Sequence, residues 1–338
     1  MESGERVLKT INFEYPDRPP ISHAILPAAR IKYGEALDEI LIKVHEDFGW
    51  DYLPDMIGDD FPALYKEGLN YDDFGTLWNG SVKGLCGIPV EWPLEDWNSY
   101  GDYRWPDFDT GPPESRLYSG HMEGVDDKYY SRGAWITFFE VMQQLRGMEN
   151  LFMDLAYKSR EVYRLRDDLL EFNLRWIDRW LQYDYDGLHF ADDWGAQKSL
   201  LISPELWREF FKPAYRKMFD KVRSAGVDVH FHSDGYIIEI IPDLIDIGVG
   251  VLNCQSSVIG LKVLQKNFSG KVCFRTDLDR QNIMPFGAPD DVKSHILEVF
   301  GRLGTKRGGV IACGEISPDT PLENIKAMYD AFMSHSFL

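Results

Sequence analysis

The sequence predicts an α/β chain folded as a (β/α)8 TIM barrel with an irregular, aromatic-rich N-terminal third. From about residue 134 onward, short β-branched or aromatic runs alternate with longer amphipathic segments, the pattern of βα units around a parallel sheet. Six such units are visible, and residues 21–26 with one further strand inside the first third bring the count to eight, the number that closes a barrel. No Gly-x-Gly-x-x-Gly follows any of these runs, which speaks against a doubly wound, dinucleotide-binding sheet.

The elements follow in order. Residues 1–130 hold Pro16-Asp17-Arg18-Pro19-Pro20, the strand at 21–26, a helix expected over 34–48, and a loop-rich stretch over 52–130 carrying Trp78, Trp92, Trp97 and Trp105. Strands are expected at 135–139, 187–191, 227–232, 249–253, 272–275 and 309–313, with helices over 148–183, 204–224, 237–247, 258–267, 289–303 and 321–333. Ser203-Pro204-Glu205 sets an N-cap hydroxyl before a proline, with a carboxylate in the first turn, and Thr320-Pro321-Leu322-Glu323 repeats the device. Gly226 and Gly248 close helices. No repeat or Gly/Ser/Pro-rich linker marks a boundary. A single barrel domain over 1–338 is therefore expected, irregular over 1–130 and built of regular βα units over 131–338.

Hydrophobic residues at 44% and charged residues at 27% belong to a globular chain and exclude disorder as its main state. Lys+Arg 36 against Asp+Glu 55 give a net charge of −19, a field that repels nucleic acid and, more weakly, strongly anionic substrates. No apolar run is long enough to span a membrane, and Met1-Glu2-Ser3-Gly4-Glu5-Arg6 lacks the basic-then-apolar layout of a secretory signal. Cys86, Cys254, Cys273 and Cys313 are scattered without a Cys-x-x-Cys pair. They read as reduced thiols, and the expected compartment is the cytoplasm.

In a barrel of this kind the chemistry sits at the carboxyl ends of the strands. Those ends carry Glu140; Asp192, Asp193 and Trp194; His230, His232 and Asp234; Asn253 and Gln255; Arg275, Asp277 and Asp279; Cys313 and Glu315. The sharpest element is Asp228-Val-His230-Phe-His232-Ser-Asp234-Gly235. Strand alternation puts His230, His232 and Asp234 on one face and Val229 and Phe231 on the other. With a thiolate from Cys313 at the same mouth, these are donors for a catalytic zinc with one position left for substrate. Hydrogen-bonded core histidines and a cysteine acting as a small hydrophobe would leave the same pattern. Asp192 and Asp193 could orient a histidine or act as base, or Asp192 could cap the next element. Arg275 could hold an anionic group or pair with Asp277 or Asp279. The tryptophans could wall an aromatic-accepting pocket or simply pack the first third.

Longer motifs run through nearly the whole chain. They are Arg6 and Pro16–Pro20 as above, Glu140 with Leu145-Arg146-Gly147-Met148-Glu149-Asn150, Asp192-Asp193-Trp194-Gly195-Ala196-Gln197, and Ile202-Ser203-Pro204-Glu205 with Lys212-Pro213. His232-Ser233-Asp234-Gly235, Asp279-Arg280-Gln281 and Cys313-Gly314 leading to Asp319-Thr320-Pro321-Leu322-Glu323-Asn324-Ile325 complete the set. Together they resemble the uroporphyrinogen decarboxylase superfamily, on its branch of cobalamin (corrinoid)-dependent methyltransferases. The resemblance implies a (β/α)8 barrel. Family members acting on thiols hold zinc with His-x-Cys on one strand and a second cysteine near the C-terminus. Carried over, this implies His232 and Cys313 as zinc ligands, with Asp234 in place of the middle cysteine and His230 or a glutamate as a substitute.

A carboxylate replacing a thiolate makes a harder, more Lewis-acidic centre. The resemblance then implies O-demethylation, in which a methyl group passes from a small, methoxylated aromatic donor to the Co(I) corrinoid of a partner protein. Asp193 and Glu140 are the catalytic candidates, and Asp192, Gln255 and Arg275 the substrate-binding ones. A homodimer is compatible with this reading. Methyl transfer from the corrinoid to a thiol or folate is one alternative. A porphyrinogen-type decarboxylase is another, although Ile25-Leu26-Pro27-Ala28-Ala29-Arg30 keeps at most one arginine of the decarboxylases' Arg-Gln-Ala-Gly-Arg segment. A non-catalytic binding barrel is the third.

Overall fold

The computed structural model describes residues 1–49, 61–107 and 127–336; the portions of the aromatic stretch at 52–60 and 108–126 lie outside them. In chain order the strands are β1 (Ala24–Ile25), β2 (Phe48–Gly49), β3 (Gly68–Tyr71), β4 (Leu77–Gly80), β5 (Ile88–Glu91), β6 (Tyr129–Ile136), β7 (Gly187–Ala191), β8 (Asp228–Ser233), β9 (Val251–Cys254), β10 (Cys273–Arg275), β11 (Val310–Ile311) and β12 (Glu315–Ile316). A seven-stranded sheet runs β2-β6-β7-β8-β9-β10-β11, with every neighbouring pair parallel.

The ring closes through the first strand segment. β1 pairs in parallel with β12, and Ile21 bridges Ala312 in parallel. On its other side the Asp47 N–H donates to the Ile21 carbonyl at 3.0 Å, just before β2. Residues 21–25 therefore lie between the last strand and β2. Counting 21–25 and 310–316 as one strand each gives the eight strands of a (β/α)8 barrel.

The amino end of the barrel is plugged by a helix the sequence reading missed, Ser3–Ile11. Its Val7 and Ile11 join Phe48, Tyr129, Val251, Cys273 and Ile311 in one buried cluster. Arg6 anchors it, with Nε 2.6 Å from Asp17 Oδ1 and Nη1 2.6 Å from the fully buried Asp47. The first third is also more regular than expected, since β3, β4 and β5 form an antiparallel sheet.

Several boundaries moved. The helix expected over 34–48 is two short helices, Pro27–Tyr33 and Glu35–Leu41, and Phe48 already belongs to β2. The strand expected at 135–139 lies earlier, as β6, and Phe139–Arg146 is helical. The long helix over 148–183 is broken at Lys158, which has φ +53°, into Met148–Tyr157 and Arg160–Trp180. Ser203 caps as expected, its Oγ accepting from the Leu206 N–H at 3.1 Å. Thr320 does not repeat the device. Pro321 itself takes the cap position of Leu322–Ser334, and no side chain caps that helix.

Candidate active site

Strand β8 points its residues as alternation requires. Phe231 packs outward against Tyr215 and Phe219 of the helix Lys212–Ser224, which leaves His230 and His232 facing into the barrel. His232 Nδ1 lies 2.6 Å from Asn253 Oδ1, while Asn253 Nδ2 donates to the Arg275 carbonyl at 2.8 Å. The amide is thereby oriented, its oxygen accepts, and the Nδ1–H of His232 is the donor. Nε2 is thereby turned toward the barrel mouth.

Two carboxylates stand beside that nitrogen. Asp193 Oδ1 lies 3.6 Å from His232 Nε2 and Asp234 Oδ1 lies 3.7 Å from it. The donor atoms of these three residues all fall within 4.8 Å of one another. Four-coordinate zinc with bonds of about 2.0–2.1 Å sets its ligands about 3.3 Å apart, so each carboxylate oxygen needs to approach His232 Nε2 by only about 0.3–0.4 Å to share such an ion with it. The residues fit a divalent cation held by one nitrogen and two oxygens.

Strand register explains the meeting. β7 and β8 pair with Ala191 opposite His232, which sets Asp193 against Asp234 two residues on. Their loops touch backbone to backbone. Gly235 has φ +78°, and a Cβ on it would collide with the Gly195 carbonyl. The Asp234 N–H donates to Asp193 Oδ1 at 2.8 Å, and the Gly195 N–H to the Asp234 carbonyl at 3.1 Å. Trp194, fully buried, stacks on Phe139 at 3.9 Å and pins the loop.

The other expected residues divide. Glu140 sits in the first turn of its helix, and its Oε1 accepts from the Asp193 N–H at 3.3 Å. Burial, with Asp192 and Asp193 beside it, raises its carboxyl well above the usual carboxylate range. Asp192 is fully buried, and its carboxylate accepts from the Phe138 and Glu140 N–H groups and, at 2.5 Å, from Tyr215 O–H. It thereby caps the start of the helix Phe139–Arg146, an element before it in the chain rather than the expected next one. Gln255 is buried with its Oε1 on the Gly235 N–H at 3.0 Å, so it braces the β8 loop. Arg275 is buried too, with Nη2 on the His23 carbonyl at 3.2 Å.

Cys313 and His230 do not join the three-donor group. Cys313 is buried; burial pushes its thiol up, and the neighbouring Arg275 guanidinium pulls it down. Its strand lies three places from β8 around the ring, beyond β9 and β10. His230 stacks on His189 with ring centroids 4.6 Å apart and meets Tyr129 O–H at 3.0 Å. Burial, reinforced by the charge of Arg275, holds its imidazole down to about 3, so it stays neutral. It is a core histidine.

The tryptophans take the packing role. Trp105 lies on Phe172 of the helix Arg160–Trp180 at 5.2 Å, and Trp97 carries the Arg146 guanidinium 4.3 Å above its ring. Trp78 is buried with its Nε1 on Asp72 at 2.8 Å. Tyr65, just before β3, lies near Glu140 and Glu315: burial, with Cys86, Glu315 and Glu140 nearby, pushes its hydroxyl up to about 12.

Two residues of the site went unassigned in the sequence. Asn253 carried a signal, an inward position at the end of β9. Arg280 carried less, three residues past Asp277 on the loop after β10. Its guanidinium lies 2.6 Å from Asp234 Oδ1, 3.0 Å from Asp277 Oδ1 and 3.1 Å from Glu315 Oε1. No helix among the described residues is long and apolar enough to cross a membrane.

Known proteins resemble the part of the chain that carries these residues. The family model described as uroporphyrinogen decarboxylase (URO-D) matches residues 131–335, a span that includes all three donors, Glu140, Asn253 and Arg280. A curated relative from Methanosarcina mazei, named methylated-thiol–coenzyme M methyltransferase, is 25% identical over 255 residues, covering 72% of this chain and 67% of that protein. A solved structure described as a methyltransferase from Methanosarcina mazei matches with a TM-score of 0.66 at 17% identity, covering 98% of each chain. That likeness is one of fold.

Proposed function

The chain belongs to the uroporphyrinogen decarboxylase family, and from that premise we propose that it is a zinc-dependent methyltransferase which passes a methyl group from a small methoxylated donor, such as a methoxyarene, to a corrinoid carried by a partner protein. The observation that carries this reading is the donor set. Asp193, His232 and Asp234 gather one nitrogen and two oxygens, without sulfur. An ion bound there supplies Lewis acidity toward the donor's ether oxygen, strongest as that oxygen gains charge in the transition state.

The chain's own residues do the rest. Asn253 holds the His232 ring with Nε2 toward the mouth. Glu140, kept protonated by burial and by Asp192 and Asp193, has a proton to give the departing oxygen. Asp193 links the two roles, since its backbone N–H binds Glu140 and its carboxylate meets His232.

A methylated thiol as donor is the second reading, favoured by the name of the curated relative. Decarboxylation of a polycarboxylate is opposed by the carboxylates at the mouth, Asp193, Asp234 and Glu315. Arg30 offers little to offset them, being paired with Asp38 at 2.5 Å.

The test follows the cobalt spectrum of a Co(I) corrinoid protein offered with methoxyarenes, methyl thioethers or thiols, alongside zinc analysis of the enzyme. Methyl uptake from methoxyarenes is expected, with both uptake and zinc lost in His232→Ala and Asp193→Ala and zinc retained in Cys313→Ala. Uptake from thioethers alone would establish the second reading. Full zinc in His232→Ala, or turnover without any corrinoid, would overturn the proposal.

A further inference from the structure

Arg280 has its guanidinium among three carboxylates, and one of them belongs to the metal-donor group. Nη2 lies 2.6 Å from Asp234 Oδ1, the same oxygen that stands 3.7 Å from His232 Nε2. Nη1 is 3.1 Å from Glu315 Oε1, and Nε is 3.0 Å from Asp277 Oδ1. A single oxygen of Asp234 thus answers both to a fixed internal cation and to any ion gathered by His232 and Asp193. Within the same network Asp277 Oδ2 is buried and accepts no hydrogen bond among the described residues. Arg280 therefore has a spare acceptor at hand when Asp234 gives its electron pair elsewhere.

We infer that Arg280 is a positioning residue that holds Asp234 back from the metal, keeping the ion loosely bound and strongly Lewis acidic. The inference rests on the zinc site proposed above. Three effects share one sign. The guanidinium draws electron density from the ligand oxygen, which weakens that oxygen as a donor. Its positive charge repels a divalent ion a few ångströms away. In the metal-free protein it offsets the mutual repulsion of Asp234 and Glu315, so it stabilises the empty site. Removing it should therefore tighten metal binding, where loss of a purely structural residue would loosen it. The tighter metal, receiving more charge from Asp234, should be the poorer acid.

The experiment measures zinc dissociation constants by chelator competition on the full chain, for the wild type, Arg280→Gln, Arg280→Lys and Arg302→Gln. Arg302 pairs with Glu298 on an outer helix and serves as the control for net charge. Circular dichroism and thermal melts report folding. Arg280→Gln should bind zinc at least tenfold more tightly, about 1.4 kcal/mol, while its methyl-transfer rate falls; Arg302→Gln should bind as the wild type does. Arg280→Lys keeps the charge but loses the planar fork and should tighten binding about threefold. If Arg280→Gln does not fold, that variant decides. Unchanged or weaker binding in a folded Arg280 variant overturns the inference while leaving the site intact, as does equal tightening in Arg302→Gln. Absence of zinc binding in both the wild type and Arg280→Gln overturns the site and the inference together.

Discussion

Replacing Asp192 with alanine separates a buried brace from a substrate contact. The carboxylate is fully buried and takes the Phe138 N–H at 3.0–3.1 Å, the Glu140 N–H at 2.8 Å and Tyr215 O–H at 2.5 Å. Alanine leaves three donors without an acceptor in a dry site. Each orphaned group costs about 1–3 kcal/mol, so Asp192→Ala should lose about 3–9 kcal/mol, against a total stability of about 5–15 kcal/mol for a typical protein. Asparagine keeps the shape and one acceptor oxygen but turns an NH2 toward a donor, and should cost about half as much. Urea denaturation followed by far-UV circular dichroism measures both. If Asp192→Ala came within about 1 kcal/mol of the wild type, the bracing role would be refuted. A raised KM for the methyl donor at unchanged stability in Asp192→Asn would return this residue to the substrate.

Asn253→Leu should weaken zinc binding by about 10–100-fold with little change in melting temperature, because the His232 ring loses the partner that fixes its tautomer; equal affinity in chelator competition would remove that role. Burial lifts the Asp277 carboxyl from its ordinary 3.8 to about 8. The protonated form is the one folding favours, so its contribution is complete below about pH 4 and is lost as pH rises through about 8. Wild-type urea midpoints should therefore fall more steeply between pH 5 and 8 than those of Asp277→Asn, and equal slopes would contradict this. Arg6→Ala removes one of the two arginines on the buried Asp47 and should cost about 3 kcal/mol in the same urea assay; a loss under about 1 kcal/mol would mean that Arg18 alone suffices.

The barrel was legible because βα alternation survives in the local pattern, and the caps and hydrophobic runs of the last two thirds report it directly. The helix Ser3–Ile11 was not, since it earns its helicity by plugging the barrel floor with Val7 and Ile11, a contact no local window contains. Nor was the start of the helix Phe139–Arg146, which depends on a carboxylate more than fifty residues away at Asp192. At the site, period-two alternation gave the inward face of β8 but not depth. His230, two residues below His232, lies about 7 Å deeper, level with His189 and Tyr129 rather than with the mouth.

Cys313 and Asp193 differ in a quantity that strand order supplies. Consecutive βα units are neighbours in space, so the strand ending before Asp193 lies beside the one carrying His232, about 4.8 Å away, and the register sets Asp193 opposite Asp234. Cys313 stands on the third strand beyond β8, about 14 Å around the sheet, with Arg275 at its side. A sulfur ligand was expected from family likeness, whereas adjacency alone favours a second carboxylate. The two assignments predict different metals: both sites should prefer zinc to Mn²⁺, but the sulfur-free one should show no special affinity for soft cadmium, while a thiolate ligand would favour cadmium and widen the margin over Mn²⁺. Competition of Mn²⁺ and Cd²⁺ against zinc in the wild type and in Cys313→Ser reads that difference. A cadmium preference abolished by Cys313→Ser would restore the thiolate to the site, and a profile unchanged by it would leave the ion to Asp193, His232 and Asp234.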